Sequence, residues 1–332
     1  MVRGVFLCNA PARIDEVYGR GRRQRVESLV AMSRTVATED ELKRQPDWLR
    51  DIEVAFSTWG MPVLGAAELD ALPSLRAVFY AAGSVRRFAR PLLERGITVV
   101  SARAANAIPV AEFVLAQILL SCKGYFRNTR DCRDPERRLG NLAFSGRGIY
   151  GETVGLIGMG MVASHLCSLL RSFELRVLAY DPYLEPARAA ALRVQQVSLE
   201  ELFLRSYVVS NHLPDLPTTR GLIGRQLLAT MRRDATFINT GRGAQVVEEE
   251  LIETLRARPD LVALLDVTDP EPPLPGSPLY SLPNVQLSSH IAGSLHDEVV
   301  RMADYVIAEY ERWARGEPLR YAVTLEMLAT MA

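Results

Sequence analysis

The chain has 332 residues, 48% of them apolar and 23% charged, which is enough for two domains with large buried cores. Its 39 basic and 39 acidic residues balance, so no net field draws it to nucleic acid or to an anionic membrane. Its four cysteines, Cys8, Cys122, Cys132 and Cys167, form no C-x-x-C pair; they imply no metal site and no disulfide framework, and suit a reducing cytoplasm. The opening MVRGVFLCNAPAR has too short an apolar run for a signal peptide. The greasiest stretch, Val110 to Leu120, contains Glu112 and Gln117, so a soluble protein is expected.

Residues 1–100 alternate between strand and helix patterns. Strands are expected at Val2–Leu7, Val54–Phe56, Ala77–Tyr80 and Ile97–Val100. Helices or helical turns are expected at Val26–Met32, Glu39–Arg44, Ala66–Leu69 and Val85–Glu94. That alternation predicts a parallel α/β sheet. The loop Tyr80-Ala81-Ala82-Gly83-Ser84 leaves a strand at its carboxyl end, where such sheets place ligands, although for Gly83 alone a plain turn is the better explanation. Ala104–Pro109 reads as a linker, followed by an apolar helix from Val110 to about Cys122; Arg127–Gly148 reads as a helix end and a polar loop.

Gly151 to Asp181 organises the rest of the chain. The apolar run Val154–Ile157 has the length of a buried parallel strand, the turn Gly158-Met159-Gly160 follows, and a helical pattern runs from Val162 to Phe173. A second apolar run ends in Asp181, which lies 181 − 160 = 21 positions after Gly160. Glycines at these positions permit a tight turn and bare the backbone to a pyrophosphate, and Ala163 stands where a small residue lets helix and strand pack. An acid about 20 residues on accepts ribose hydroxyls and repels a 2′-phosphate, which favours NAD over NADP. An ordinary strand–helix turn is the plainer explanation of the glycines alone.

Downstream the alternation resumes, with a capping box at Ser198-Leu199-Glu200-Glu201 and strands at Tyr207–Ser210, Ala235–Asn239, Leu261–Leu265 and Val285–Leu287. A helix is expected at Gly224–Met231, and an amphipathic one closes the chain at about His296–Arg315. Arg242, Asp269 and His290 each follow one of these strands, and parallel strands end on one side of a sheet. The three suit the chemistry of a 2-hydroxy acid. A histidine exchanges a proton with the oxygen on C2, a carboxylate fixes its ring, and an arginine holds the substrate carboxylate in a fork. A structural hydrogen bond for His290, a solvated charge for Arg242 and a turn role for Asp269 are the bland alternatives. His212 is a candidate to meet a cofactor through its backbone.

From about Ala104 to Gly293 the chain resembles the D-isomer-specific 2-hydroxyacid dehydrogenases. The likeness is carried by Asn106-Ala107 with Val110-Ala111-Glu112, Gly155-Leu156-Ile157-Gly158-Met159-Gly160 and Tyr180-Asp181-Pro182. It continues through His212-Leu213-Pro214, Thr219-Arg220-Gly221-Leu222-Ile223, Ile238-Asn239-Thr240-Gly241-Arg242-Gly243, Leu265-Asp266-Val267 and Ser288-Ser289-His290-Ile291-Ala292-Gly293. The resemblance implies a Rossmann domain with a doubly wound parallel sheet over residues 104–294. It also implies a discontinuous flavodoxin-like α/β substrate domain from residues 1–103 and 295–332.

It further implies an NAD-dependent enzyme interconverting a small 2-oxo acid, such as glyoxylate or hydroxypyruvate, with its D-2-hydroxy acid. The catalytic residues would be Arg242, Asp269 and His290. Substrate would meet Arg242 and the loop Ala82, Gly83 and Ser84. Cofactor would meet Gly158, Gly160, Met161, Val162, Asp181, Pro182, Leu213, Pro214, Thr219, Thr240, Gly241, Arg242, Asp266, His290 and Gly293. A cytoplasmic homodimer joined through the nucleotide domain is implied, with no metal. One departure stands out: the usual partner of the histidine is a glutamate, and the run Asp266-Val267-Thr268-Asp269 offers an aspartate. No regulatory domain is expected beyond Ala332, which would weigh against the larger phosphoglycerate dehydrogenases. An NAD-binding corepressor-like regulator of the same fold is the alternative.

Overall fold

Short apolar runs between turn formers become the strands of two sheets in the computed structural model, which describes residues 1–33, 35–136 and 146–331. In chain order they are β1 (Arg3–Leu7), β2 (Ala31–Met32), β3 (Val54–Ser57), β4 (Ala77–Tyr80) and β5 (Thr98–Ser101), then β6 (Thr153–Ile157), β7 (Arg176–Tyr180) and β8 (Gln195–Gln196). They continue with β9 (Val208–Asn211), β10 (Thr236–Asn239), β11 (Val262–Leu265), β12 (Val285–Leu287) and β13 (Ala322–Val323). The chain divides into two compact units, Met1–Asn106 with Ser294–Ala332, and Ala107–Gly293.

In the first unit the strand order is β13-β5-β4-β3-β1-β2, parallel except for the edge strand β13. The order β2-β1-β3-β4-β5 is that of flavodoxin-like sheets. Its mainly aliphatic core contains a cluster of aromatic rings. Phe56 and Phe79, on neighbouring strands, lie 5.3 Å apart between ring centroids, and Tyr310 of the helix Val299–Ala314 packs edge-on against Phe79 at 5.5 Å. That helix buries Val299, Met302, Val306 and Tyr310, as its amphipathic spacing requires.

The second unit holds a seven-stranded sheet in the order β12-β11-β10-β9-β6-β7-β8, with every pairing parallel. Counted from β6 this is the doubly wound Rossmann order, extended by one strand, and the direction of winding reverses between β6 and β9. Gly155 on β6 is packed so closely that a Cβ would meet Ser206 Oγ at 2.4 Å and Leu202 Cδ2 at 2.5 Å. Ser198 caps the helix Leu199–Arg205, accepting from Glu201 N–H at 3.1 Å.

Two expectations are corrected. Val26–Met32 is not one helix: the helix is Arg22–Leu29, Val30 is extended, and Ala31–Met32 joins the sheet edge beside β1. Ala104–Pro109 is no linker, because the helix runs unbroken from Arg103 to Cys122 across the boundary between units. Pro109 has no N–H to give Ala105, but one lost bond does not end a 20-residue helix. This helix is long and apolar enough to span a membrane by length and composition, yet half of it is buried, and Val110, Ala111, Val114, Ile118 and Cys122 belong to the second unit's core. The polar stretch 127–148 begins as the helix Tyr125–Asp131; residues 137–145 of it lie outside the described residues.

Candidate active site

The coenzyme side of the site starts at the turn after β6. Gly158 has φ +84°, and a Cβ there would lie 2.9 Å from the His212 carbonyl oxygen, so both conformation and space demand glycine. Around Gly160 there is nothing within 4 Å of a would-be Cβ. That open ground is what a phosphate needs. Gly160 also starts the helix Met161–Leu170 without a side-chain cap, so first-turn N–H groups of Met161 and Val162 point outward from a positive helix end. Ala163 is fully buried against the strand.

Asp181, at the end of β7, braces this turn: Oδ2 accepts from Met159 N–H at 2.7 Å and Oδ1 from Tyr183 N–H at 2.8 Å. Each oxygen keeps a free lone pair for a ribose hydroxyl. Arg188 donates to Met159 O at 2.7 Å, so both backbone groups of Met159 are held by side chains. Pro182 beside it is exposed.

After β9 the chain passes through His212, Leu213 and Pro214. Burial pushes the His212 imidazole down to about 4, so it is neutral; Nε2 pairs with Ser210 Oγ at 3.0 Å. Its Nδ1 is buried with no partner, as is Thr240 Oγ1 after β10. Buried polar atoms are rarely left orphaned, and these two flank the turn where the resemblance puts the cofactor. The loop itself is stapled by Thr219, whose hydroxyl donates to Pro214 O at 2.7 Å. The residues present therefore fit a dinucleotide.

After β10, Arg242 is half-buried; its Nη1 donates to Gly241 O at 2.7 Å, leaving the rest of the guanidinium fork. Gly243 lies so close to the loop after β11 that a Cβ would sit 1.9 Å from the Thr268 carbonyl carbon and 2.5 Å from Asp269 N. That contact fixes where Asp269 goes. Its N–H faces Glu248 Oε2 at 3.4 Å, and its carboxylate lies 3.5 Å from Arg220 Nη1. Asp269 is thus not the partner of His290. Glu271, two residues on, is: its Oε1 lies 2.6 Å from His290 Nδ1. The glutamate expected of the resembled family is present, and the supposed departure disappears.

Asp266 serves a different purpose from cofactor contact alone. Its buried carboxylate accepts from Ser288 Oγ at 2.6 Å, Ile291 N–H at 2.9 Å and Ala292 N–H at 2.9 Å, while its carbonyl accepts from His290 N–H at 3.0 Å. The His290 loop, with His290 itself at φ +58°, is wrapped around that one residue from Ser288 to Ala292. Ser288 and Asp266 were therefore underread in this role, and a buried aspartate at a strand end was the available signal. In the first unit, Ala82 is buried, Gly83 is half-buried and Ser84 is exposed. Ser101 Oγ secures their loop, donating to Gly83 O at 2.6 Å with Ala82 O at 3.1 Å beside it. Among the described residues no group of three His, Cys, Asp or Glu side chains is placed to hold a metal ion.

The chain is similar to known proteins in sequence and in fold. The family model described as D-isomer specific 2-hydroxyacid dehydrogenase, NAD binding domain, matches residues 115–292. The chain is 30% identical over 272 residues to the glyoxylate reductase of Korarchaeum cryptofilum, covering 81% of this chain and 82% of that protein. It is 33% identical over 232 residues to the D-3-phosphoglycerate dehydrogenase of Archaeoglobus fulgidus, covering 70% of this chain but only 44% of that protein. The chain thus spans less than half the length of that relative. In fold it is similar to a phosphoglycerate oxidoreductase from Rhizobium etli, with a TM-score of 0.84 at 24% identity over 99% of this chain and 100% of that one. A Rossmann sheet with a bared glycine turn and an acid at the end of β7, matched by that NAD-binding model, makes this chain a member of the D-isomer-specific 2-hydroxyacid dehydrogenase family, with NAD as its cofactor.

Proposed function

We propose that the protein interconverts a small 2-oxo acid and its D-2-hydroxy acid, with glyoxylate and hydroxypyruvate as first choices. The likeness to a glyoxylate reductase over 81% of the chain supports that choice. The observation that carries the reaction is the 2.6 Å contact between His290 Nδ1 and Glu271 Oε1. A carboxylate only accepts, so Nδ1 holds the ring proton and Nε2 is left to exchange one with the oxygen on C2. Arg242 grips the substrate carboxylate with the part of its fork that Gly241 does not use. We read Met1–Asn106 with Ser294–Ala332 as the substrate domain, whose loop at Gly83 and Ser84 carries backbone N–H groups suited to a carboxylate. NAD(H), when bound, supplies or takes the hydride at C2.

We also read the protein as a cytoplasmic homodimer joined through the second unit. Leu120, Tyr125 and Tyr150, all exposed in that unit, support such a contact, and four unpaired cysteines support a reducing compartment. The test of the reaction is NADH oxidation against a panel of 2-oxo acids, with His290→Ala as control. Turnover well above the control for at least one acid is the expected result. NADH binding with no turnover for any acid would favour the coenzyme-binding regulator and overturn this reading.

A further inference from the structure

Three side-chain amides meet in the interior of the second unit. Asn211 and Gln245 are 0% exposed and Asn239 is 1% exposed. Asn211 and Asn239 are register partners at the carboxyl ends of β9 and β10, and Gln245 follows in the short turn Gly243–Gln245. Asn211 Nδ2 donates to Asn239 Oδ1 at 3.0 Å and to Gln245 Oε1 at 2.5 Å. Asn211 Oδ1 accepts from Leu213 N–H at 3.2 Å, and Asn239 Oδ1 from Gly241 N–H at 3.1 Å.

The remaining bonds all end on two functional loops. Gln245 Oε1 accepts from Arg242 N–H at 3.0 Å, and Asn239 Nδ2 donates to Arg242 O at 3.1 Å. Both backbone groups of Arg242 are thus held by amides. Gln245 Nε2 donates to Leu213 O at 2.8 Å and to Pro214 O at 2.9 Å, on the coenzyme side. These partners fix which end of each amide is which, because a backbone N–H only donates and a carbonyl only accepts. The neighbouring glycine makes room: a Cβ on Gly241 would lie 2.7 Å from Gln245 Oε1 and 2.9 Å from Asn211 Nδ2.

We propose that Gln245 is a positioning residue that locks the coenzyme loop Leu213-Pro214 to the substrate-binding Arg242, through buried amide bonds shared with Asn211 and Asn239. A glutamine is the side chain that fits: it supplies two acceptor positions toward Arg242 and Asn211 and two donors toward the carbonyls, and all four are used. A network satisfied this fully resists partial change, since each orphaned buried group carries its own desolvation cost. The Arg242 half of the proposal rests on the reading given under Proposed function. The coenzyme half rests on the binding of NADH alone.

The test uses that division. Gln245→Glu keeps the acceptors and loses both donors, setting a carboxylate oxygen against two carbonyls. Asn239→Asp keeps Asn211 and Gly241 satisfied and loses the donor to Arg242 O. Expected results, on protein that is folded by circular dichroism, are opposite splits. Gln245→Glu raises the NADH Kd, read by fluorescence titration, at least tenfold. Asn239→Asp raises the KM for glyoxylate or the best 2-oxo acid about tenfold and leaves the NADH Kd within twofold. Gln245→Met, apolar and of equal length, replaces Gln245→Glu if the latter does not fold, with the same tenfold threshold. Melting temperatures lowered with NADH Kd and KM both within twofold of the wild type would reduce the network to packing and overturn the proposal. If the wild type binds NADH but reduces no 2-oxo acid, the proposed reaction fails, while the Gln245 result still decides the coenzyme half.

Discussion

The two units finish their strands differently. In the first, hydroxyls close the carboxyl ends: Ser57 donates to Leu7 O, Thr58 to Ala81 O at 2.9 Å and Ser101 to Gly83 O at 2.6 Å. Each of these bonds ties a side chain to the backbone of a nearby strand end. In the second unit the same places carry Asn211, Asn239 and Asp266, whose side chains each make three hydrogen bonds, within their own loop and across to a neighbouring one for the two amides and all to the loop after β12 for Asp266. A hydroxyl donates once, whereas an amide or carboxylate engages several partners and leaves several orphans when it is lost. The contrast predicts that damage at the ends of the second sheet is disproportionate, and four measurements bear on it.

The largest effect belongs to the proposed acid/base pair. Glu271→Gln removes the acceptor that fixes the His290 ring, and kcat is expected to fall by about 100-fold. Asp269→Asn, facing Arg220, is expected to stay within threefold, and steady-state kinetics of the two variants side by side decides which carboxylate serves. Next comes Asp266→Asn, which puts an amide where three donors converge. A loss of about 2–3 kcal/mol in unfolding free energy is expected from denaturant melts; a value under 1 kcal/mol would dissolve the contrast.

The third measurement concerns acid. Burial holds His212 down at about 4 in the folded chain, against an ordinary 6.5. Between these values the unfolded chain binds a proton that the folded chain refuses, so stability falls as pH drops below about 6.5 and the loss is complete near 4. The slope is on the order of 1 kcal/mol per pH unit. His212→Gln is expected to flatten that slope between pH 7 and 5 relative to the wild type. The smallest effect is Ser101→Ala in the first sheet, expected to cost about 1 kcal/mol; a cost matching that of Asp266→Asn would break the comparison from the other side.

Much of this was legible in the sequence for local reasons. The glycine turn was readable because Gly158 needs positive φ and Gly160 needs bareness, requirements that only glycine meets. The strands were readable because buried parallel strands are short apolar runs. The partner of His290 was not, because Asp269 and Glu271 sit two residues apart in one proline-rich loop. The choice between them is made by the close approach of Gly243 to Thr268, 25 residues away in the chain (268 − 243). The amide network escaped for a similar reason: an asparagine at a strand end reads as a turn former until its partners arrive from other strands. β2 and β13 escaped because two-residue edge strands exist only by pairing. The reading of Val26–Met32 as helix ran through β2 on that account.

The contact at Gly243 also limits how this site can diversify. With no space for even one carbon between the loops after β10 and β11, mutation cannot retune the distance between Arg242 and the run that carries Glu271 by small steps. The spacing of these two loops is inherited as a block. Under the proposed function, changes of substrate preference enter through positions with room around them, which leave that block intact.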